Sequence, residues 1–488
     1  MSDKQLGKIR SSIEENQKLL NETLGIDVSF DIIFREIKIG DKKAGILFVD
    51  GFVDDETTTL ILQTLLNTRR EELVPGTLEK VFNMKIPYVA VEPVNTLDDA
   101  MFSALSGPIV LFIDGEKQAL EIDTRIYPAR DPAEPEIEKI TRGSRDGFVE
   151  TMLFNVTLIR RRLRDPQLRS EALRIGRRSA SDVALVYVAD IANPKMVEEV
   201  RKRLQEIDVD ALTMAEKTVE EFTTKKFWNP FPEVRFSERP DVAAAHLMEG
   251  HVVIVVDTSP SVMIAPVTIF HHLTHAEEYR HDPIVGIYIR WVRVLGVLSS
   301  FLLVPLWMLM VLEQGLPPPG LEFLGPEEEY AIPLMVQFIF AHFGIDLLRM
   351  ASIHTPSPMA TALGLVGGLL IGEIAVEVGF FTPEVLLYAG LNAIGIFATP
   401  SWELSMANRI ILLMLILLTG FFLTTGFVIG VLLVLVRLAT TRSFGYPYLW
   451  PLVPFNASGL LNVIIRSPMP LQKMRPDYLD PVDKTRKK

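Results

Sequence analysis

The chain has 488 residues, a formal net charge of −12 and no cysteine. The lack of cysteine excludes disulfides, thiolate metal sites and cysteine nucleophiles, and the acidic balance argues against nucleic acid as the main partner. Charge is unevenly distributed along the chain. Residues 294–440 carry three basic and ten acidic residues between long apolar runs, whereas the first 290 residues alternate in charge as a water-soluble domain does.

Two pairs of segments in the first half resemble each other. The segment AGILFVDGFVDDETTTLILQTL, from Ala44, resembles VALVYVADIANPKMVEEVRKRL, from Val183, and GPIVLFIDGEKQALEI, from Gly107, resembles GHVVIVVDTSPSVMIA, from Gly250. The members of each pair lie about 140 residues apart, and each begins with an apolar, β-rich run that leads into a polar turn. The spacing predicts an α/β domain built from two related modules. Neither module contains a G-x-G-x-x-G or Walker A sequence, so we predict no nucleotide site and no cofactor.

These features divide the chain into five parts. They are an N-terminal helical segment (1–25), α/β module 1 (26–140), an Arg-rich helix with α/β module 2 (141–285), a transmembrane domain (286–440) and a C-terminal tail (441–488). The first residues, MSDKQLGKIRSSIEENQ, are charged and contain no apolar core. We therefore expect no cleavable signal peptide.

The transmembrane part contains several apolar runs. A helix needs roughly 20 apolar residues to cross about 30 Å of hydrocarbon. Val292–Leu312 meets this length, Ile410–Val436 exceeds it and is predicted to span with tilt, Met359–Phe381 meets it with two glutamates, and Glu384–Thr399 is shorter. A fifth run, Ile332–Met350, contains His342, Asp346 and Arg349 and is predicted to be an amphipathic helix at the membrane surface or between subunits. The prediction is an α-helical bundle of about four spans plus an amphipathic helix.

Charges that flank these runs predict the orientation. Arg280, Arg290 and Arg293 lie before or at the very start of the first run, which has no charge after Arg293, whereas the loop after it carries five glutamates and no basic residue. The positive-inside rule then places the α/β modules in the cytosol. Basic residues also follow the last run, up to the terminal KTRKK. We therefore expect both termini in the cytosol and an even number of crossings.

Four long motifs, in order, carry a resemblance to a known family. They are TRGSRDGFVETMLFNVTLIRRRLRDPQLRSE from Thr141, DVALVYVADIANPKMVEEVRKRL from Asp182, NPFPEVRFSERPDVAAAHLMEGHVVIVVDTSPSVMIAPVTIF from Asn229 and SPMATALGLVGGLLIGEIAVEVG from Ser357. Together they resemble the A subunits of spore germinant receptors. The resemblance implies a protein of the inner spore membrane that forms pentameric channels releasing monovalent cations during germination. It also implies that Met359–Gly379 is the pore helix.

Two acids stand out on that helix. Glu373 and Glu377 are four residues apart, which places both carboxylates on one face. An ionised carboxylate at the centre of a membrane helix costs about 2.5–3.5 kcal/mol, so each should face water or a partner. In a symmetric oligomer each position becomes a ring, and acidic rings favour cations. The alternatives are headgroup depth beside the Phe380–Pro383 turn, or pairing with Arg349 or His354.

The same helix is rich in small residues, among them Gly372. Small residues let helix backbones approach closely, which suits a packed oligomer or a pore of variable width. Leu369 and Val376 would then form an apolar constriction that closes by dewetting. Glycine-rich helices are equally common in membrane bundles without a pore, and the residues alone do not separate the two explanations.

Ten arginines lie between Arg142 and Arg178. The stretch lacks interleaved aromatic residues and contains acids among the bases, so nucleic acid is disfavoured. A solvated helix face or salt bridges between subunits is the better explanation, with anionic lipid headgroups as another partner. The predicted oligomer-interface residues are Arg142, Arg145, Arg160, Arg161 and Arg162.

Four histidines, His271, His272, His275 and His281, lie just before the first apolar run. His271 and His275 have the i, i+4 spacing of zinc-binding helices, but the H-E-x-x-H pattern is missing. We therefore predict no metal site and expect polar residues of a juxtamembrane turn.

The sequence, with the resemblance, predicts a homo-oligomeric, pentameric channel for monovalent cations in the inner spore membrane. Its partners would be membrane lipid and another germination membrane subunit, and no enzymatic activity is expected. The alternative is a non-conducting scaffold or assembly subunit for germinant receptors. A transporter would use inverted repeats, and the spans show none.

Overall fold

A computed structural model describes residues 6–73, 76–82, 90–126, 138, 140–225, 227–313, 325–326, 330–354, 367–368, 370–465 and 467–486. Backbone contacts divide the chain into an α/β unit and a helical unit. The α/β unit comprises Met1–Phe227, Val234–Pro266 and Met469–Lys488, and the helical unit comprises Trp228–Glu233 and Val267–Pro468.

The first module of the α/β unit is built on a five-stranded antiparallel sheet with strand order β1-β2-β4-β5-β3. Its strands are β1 Ile32–Ile39, β2 Lys42–Val49, β3 Val91–Val94, β4 Ile109–Ile113 and β5 Ala119–Ile122. The β1–β2 hairpin turns at Gly40 and Asp41, which both have positive φ. A two-residue turn of this kind matches the twist of the flanking strands.

The second module repeats this sheet, with order β6-β7-β9-β10-β8. Its strands are β6 Leu168–Ile175, β7 Ser181–Val188, β8 Arg235–Ser237, β9 Val252–Val256 and β10 Val262–Ala265. Each strand of one sheet thus has a counterpart at the same place in the other. The prediction of two related α/β modules is confirmed.

Helices of the α/β unit are mostly short. They are α1 Ile13–Leu24, α2 Asp55–Leu66, α3 Arg70–Leu73, α4 Thr77–Lys80, α5 Leu97–Ser106, α6 Met152–Arg162, α7 Pro194–Gln205, α8 Ala215–Thr224 and α9 Pro240–Leu247. Polar side chains fix several starts. Asp54 accepts from the Thr57 N–H at 2.9 Å, and Thr96 accepts from the Asp99 N–H at 3.1 Å. Each cap pairs a backbone N–H that lacks a partner within the helix.

Both faces of the first sheet are covered. Helices α1 and α5 bury Leu20, Leu24 and Leu97 against one face, and α2 buries Ile61 and Leu65 against the other. Because β4 is covered on both sides, all five of its residues are buried. Such strands carry continuous apolar runs rather than alternating ones.

The C-terminal tail is divided between the two units. Residues up to Pro468 belong to the helical unit, and Met469–Lys488 belongs to the α/β unit. There Arg475 Nε donates to the Met248 carbonyl at 2.8 Å, and the Val482 N–H donates to the Ile191 carbonyl at 2.9 Å. The predicted single tail (441–488) thus has two structurally different parts.

The helical unit contains three helices long and apolar enough to cross a membrane, within the described residues. They are Pro283–Leu312, Leu334–Ala351 and Trp402–Thr440, and Pro383–Phe397 is a shorter apolar helix. The second of these was predicted to be an amphipathic surface helix, yet its length and composition also suit a span. The helices are α10 Ile269–Leu273, α11 Pro283–Leu312, α12 Leu334–His354, α13 Ala375–Glu377, α14 Pro383–Phe397, α15 Trp402–Thr440 and α16 Ala457–Ile464, and a short hairpin pairs β11 Arg442–Ser443 with β12 Tyr446–Pro447.

Helix α15 is a hairpin of two arms, not one rod. Leu423 has φ 51° and ψ −134°, which breaks the helix between residues 402–422 and 424–440. A Cβ on Gly430 would lie 2.5 Å from Leu415 Cδ2, whereas these positions would be about 22 Å apart along a straight helix. The prediction of a single tilted span over Ile410–Val436 is therefore wrong. Because the residues on both sides of Leu423 are apolar, the hydropathy pattern does not show that the chain reverses there.

The two ends of this hairpin lie together. Ser401, at its start, contacts His272 Nδ1 through Oγ at 3.1 Å, and the His272 ring packs on the Tyr448 ring at 6.2 Å between centroids. Tyr448 in turn donates its N–H to the carbonyl of Thr441, at the hairpin end, at 3.2 Å. We call this end of the helical unit the base, and the end at Leu423 the tip.

The remaining helices run between base and tip. Helix α11 ends at the tip, where Glu313 accepts from the Thr424 hydroxyl. Helix α12 returns to the base, where the Arg349 guanidinium lies 3.8 Å above the Trp402 ring. Thr382, just before α14, lies at the tip again, because its N–H donates to Gln337 near the start of α12, and α14 descends from there. With the two arms of α15, the described long helices make five passes between base and tip.

Candidate functional site

Polar groups inside the helical unit pair with one another. Asn392 Nδ2 donates to the Ser300 carbonyl at 2.7 Å, and Asn408 Nδ2 donates to the Ser300 hydroxyl at 3.0 Å. Gln337 Oε1 accepts from the Thr382 N–H at 2.9 Å. These bonds join α14, α15 and α12 to their neighbours, since a polar group without a partner is costly in hydrocarbon.

An ion pair between the buried Arg409 and the half-buried Asp346 connects α12 to α15. Arg409 Nε donates to Asp346 Oδ2 at 2.8 Å, and its Nη2 donates to the His342 carbonyl at 3.0 Å. The His342 ring is fully buried against Phe338, and the described residues offer neither ring nitrogen a hydrogen bond. Of the residues that suggested a surface helix, His342 is therefore buried, whereas Asp346 and Arg349 are half-buried. The sequence shows each charge but not its partner, which is 63 residues away.

The predicted acid pair lies in the described residues 370–381, which precede α14. Glu373 belongs to a π-helical turn, Leu370–Ile374, and Glu377 is the last residue of α13. Both side chains are exposed, as are Ile374 and Val378 beside them. Single π-turns inside helices occur often at functional sites. The helix thus presents one face on which two acids alternate with two apolar residues.

The other predicted pore residues lie differently. Val376 is half-buried and packs against the core of the helical unit around Trp307 and Phe338. It therefore does not share the exposed face with the two acids. Gly372 is half-buried, and a Cβ there would meet nothing within 4 Å. Leu369 lies outside the described residues.

Pairing with Arg349, one of the alternative explanations for the acids, is absent from the described residues. Neither Glu373 nor Glu377 forms a hydrogen bond or ion pair in that part of the chain. The Arg349 guanidinium instead covers the Trp402 ring. Glu377 lies one turn from the tip, because Phe380 and Phe381 close the turn into α14.

Two of the arginines used to assign the orientation are neutralised at the base. Glu278 is fully buried and accepts from Arg290 Nε at 2.8 Å and from Arg293. Arg290 Nη1 also donates to the carbonyls of Asn462 and Val463, at 3.1 and 2.8 Å. These groups fix the first helix to the segment that follows the hairpin.

The predicted interface arginines fall into two groups. Arg142, Arg145 and Arg161 are exposed, and Arg162 is half-buried in an ion pair with Asp146. They remain predicted interface residues.

Arg160 does not lie on a surface that another subunit could contact, because its side chain is completely buried. The prediction of Arg160 as an interface residue is therefore wrong. Its Nε donates to Asp31 Oδ2 at 2.5 Å and its Nη2 donates to Oδ1 at 3.1 Å. The helix predicted over the Arg-rich stretch is also short. Helix α6 ends at Arg162, and Arg169 and Arg174 lie in strand β6.

The histidines of the predicted juxtamembrane turn cap helices. His271 Nδ1 accepts from the Thr268 N–H at 3.0 Å, and His275 Nδ1 accepts from the Glu277 N–H at 3.2 Å. Because each Nδ1 is engaged with backbone, the i, i+4 spacing does not converge on a shared ligand through these atoms.

Comparison with known proteins identifies the family. Residues 18–478 match the family described as Bacillus/Clostridium GerA spore germination protein. Stage V sporulation protein AF of Bacillus subtilis (strain 168) is 45% identical over 474 residues, which is 97% of this chain and 96% of that protein. Spore germination protein KA of the same organism is 29% identical, over 94% of this chain and 85% of that protein.

One solved structure is also similar. The N-terminal domain of the A subunit of the Bacillus megaterium spore germinant receptor GerK3 is 31% identical, with a TM-score of 0.43, over 54% of this chain and 98% of that domain. The family match covers both the duplicated α/β modules and the helical unit. This chain belongs to the GerA family of spore germination proteins.

Proposed function

We propose that this protein is a homo-oligomeric, pentameric membrane channel that conducts monovalent cations during spore germination. The observation that carries the proposal is the exposed face of residues 373–378, where Glu373 and Glu377 have no partner among the described residues. Membership of a spore germination family supplies the biological setting.

Energetics favour a watery surrounding for this face. The outer surface of the helical unit presents large apolar side chains, which suit lipid. Examples are Leu295, Phe343, Leu387, Ile394 and Ile410. Two ionised carboxylates facing the same hydrocarbon would each cost about 2.5–3.5 kcal/mol at mid-depth. A water-filled axis shared by several copies removes that cost, and the rings of acid then attract cations.

The location that follows is the inner spore membrane, with both termini in the cytosol. The described helices make five passes, and we assign a sixth crossing to the segment between α12 and α14, which gives the even number that the charge pattern predicts. The basic residues before Trp291 and after Thr440 support a cytosolic base. Another germination membrane subunit is a proposed partner.

Reconstitution tests the proposal. The purified chain in liposomes loaded with K⁺ should release the ion, and Glu373→Gln should lower the K⁺ flux several-fold while leaving assembly intact. Glu36→Gln, an exposed acid of strand β1, removes the same charge from the α/β unit and should leave the flux unchanged. Mass measurement in detergent gives the subunit number.

A non-conducting scaffold is the second candidate. Its supporting observation is that Val376, the predicted constriction, packs within a single copy rather than on the exposed face. A scaffold would assemble normally, show no K⁺ flux above protein-free liposomes, and tolerate Glu373→Gln. A mass of one or two subunits would instead favour a transporter.

A further inference from the structure

The segment after the hairpin exposes an unusual amount of apolar surface. Leu452, Val453, Phe455, Leu461 and Ile465 are all exposed, Phe455 to 72% and Leu461 to 57%. The segment is ordered by its own contacts, because Asn456 caps α16 and a Cβ on Gly459 would lie 2.7 Å from the Trp450 ring. Soluble proteins rarely leave such contiguous apolar patches in water, and they usually mark an interaction surface.

Contacts hold this segment at the base of the helical unit. The Ile269 N–H donates to the Tyr448 carbonyl at 2.9 Å, and the Tyr448 N–H donates to the Thr441 carbonyl at 3.2 Å. At the other end of the segment, Arg290 of α11 donates to the carbonyls of Asn462 and Val463. The apolar side chains are therefore fixed where membrane helices begin and end.

Trp228 also lies at the base of the helical unit. Its neighbour Asn229 donates to the Thr441 hydroxyl at 3.3 Å and accepts from Arg437 Nε at 3.1 Å. Arg437 lies in the last turn of the descending arm of α15, and Thr441 is its C-cap. Trp228 itself is 93% exposed, although an indole in water is unfavourable by its apolar area.

We propose that residues 449–465, together with Trp228, form a foot that lies in the headgroup layer of the membrane leaflet at the base. Tryptophan concentrates at this depth because its ring is apolar and its N–H is polar. A short helix with exposed leucine and phenylalanine lies in the plane of the interface rather than across it. Arg437 and Arg442, at the end of the hairpin, supply positive charge toward phosphate groups.

Such a foot would fix the depth and tilt of the neighbouring helices. The ascending arm of α15 begins at the base, and the descending arm ends there beside Thr441. An anchor at that point resists both sinking and tilting of the hairpin, as interfacial aromatic and basic residues do in other membrane proteins. The inference concerns placement in the bilayer and does not depend on conduction.

Spin labelling tests the proposal directly, because the chain has no cysteine. Single-cysteine variants Trp228→Cys and Phe455→Cys of the full chain, in nanodiscs of zwitterionic and anionic phospholipid, carry a nitroxide at the foot. Met214→Cys, an exposed apolar position in the α/β unit, is the matched control. The ratio of collision rates with oxygen and with a polar nickel complex should be several-fold higher at 228 and 455 than at 214.

Two outcomes would overturn the proposal. Ratios at 228 and 455 equal to that at 214 would place the foot in water. Labels that are immobilised and inaccessible to both reagents would place it against a second copy of the chain. A second measurement needs no spin label. The emission of Trp228 is obtained as the difference between the native chain and Trp228→Phe, and lipids brominated high on the acyl chain should quench it. Absence of that quenching would contradict the proposed foot.

Discussion

Arg160 and Asp31 form a fully buried ion pair that joins the two α/β modules. Asp31 immediately precedes the first strand of module 1, and Arg160 lies in the last turn of α6, ahead of module 2. The hydroxyl of Ser170, in strand β6, donates to the same carboxylate. The pair is therefore the polar centre of the contact between the two halves of the duplication.

Removing one partner should be strongly destabilising. Arg160→Met leaves Asp31 buried without its counter-charge, and we expect a loss of about 3–5 kcal/mol in the free energy of unfolding. Replacing both, as in Arg160→Met with Asp31→Leu, should recover most of that loss, because the desolvation cost disappears with the charges. Thermal unfolding of the full chain in detergent measures both effects.

Arg162→Met is the matched control, since Arg162 is the partly exposed neighbour that pairs with Asp146. It should cost less than about 1 kcal/mol. An equal loss of stability in Arg160→Met and Arg162→Met would show that the buried pair contributes no more to the free energy of unfolding than the partly exposed pair.

The sequence predicts the α/β unit well, for physical reasons. Strands β4 and β9 are buried on both faces, so both leave continuous apolar runs, IVLFI and VVIVV, in the chain. Repetition of those runs at one spacing is enough to indicate the duplication. The pairing of Arg160 with Asp31 was not predictable, because the two residues are 129 positions apart.

The helical unit was harder to predict. Apolarity marks a membrane helix but does not record where the chain reverses, so the hairpin at Leu423 resembled one long span. Polar residues in α12 suggested a surface helix because their partner, Arg409, follows far along the chain. The spacing of Glu373 and Glu377 did predict a shared face, and the structure exposes both acids on it.

Acid should loosen the C-terminal tail from module 2. His251 Nδ1 lies 3.0 Å from the His246 carbonyl and must donate to it, so Nε2 of the neutral ring accepts from the Tyr478 hydroxyl at 2.9 Å. Burial lowers the pKa of His251 to about 4, below the usual 6.5. The contribution of the neutral His251 to the free energy of unfolding is therefore complete above pH 6.5 and is lost as the pH falls toward 4. The total loss is about 3 kcal/mol at most.

Hydrogen exchange of the backbone of residues 469–486 measures this loosening. Exchange, corrected for its intrinsic pH dependence, should be faster at pH 5 than at pH 7.5. His251→Gln cannot titrate, so its pH dependence should be smaller, without vanishing, because burial also lowers the pKa of His246. An unchanged pH dependence in His251→Gln would contradict the role assigned to His251.

Glycine at the hairpin tip should stabilise the helical unit. The φ of 51° and ψ of −134° at Leu423 suit glycine, and a leucine held there costs about 1–3 kcal/mol. We expect Leu423→Gly to raise the thermal midpoint of the full chain in detergent. Leu417→Gly, at a half-exposed position within the ascending arm, should lower it by the usual helix penalty of about 1 kcal/mol. The two Leu→Gly substitutions should therefore change the thermal midpoint in opposite directions. A loss of stability in both would contradict the reversal at Leu423.

Helix α14 offers a similar contrast between two of its glycines. A Cβ on Gly395 would lie 2.5 Å from the Gly296 carbonyl oxygen and 2.6 Å from Ser299 Oγ, so α11 and α14 touch there through their backbones. Gly395→Ala must push the helices apart, and overpacking of this kind costs about 1–3 kcal/mol. Gly390→Ala meets nothing within 4 Å and should instead stabilise by up to about 1 kcal/mol through helix propensity. Thermal unfolding in one detergent should show a lower midpoint for Gly395→Ala and a higher midpoint for Gly390→Ala than for the native chain. Because Asn392, between them, bonds the Ser300 carbonyl of α11, a tolerated Gly395→Ala would mean that α11 and α14 are farther apart than this contact requires.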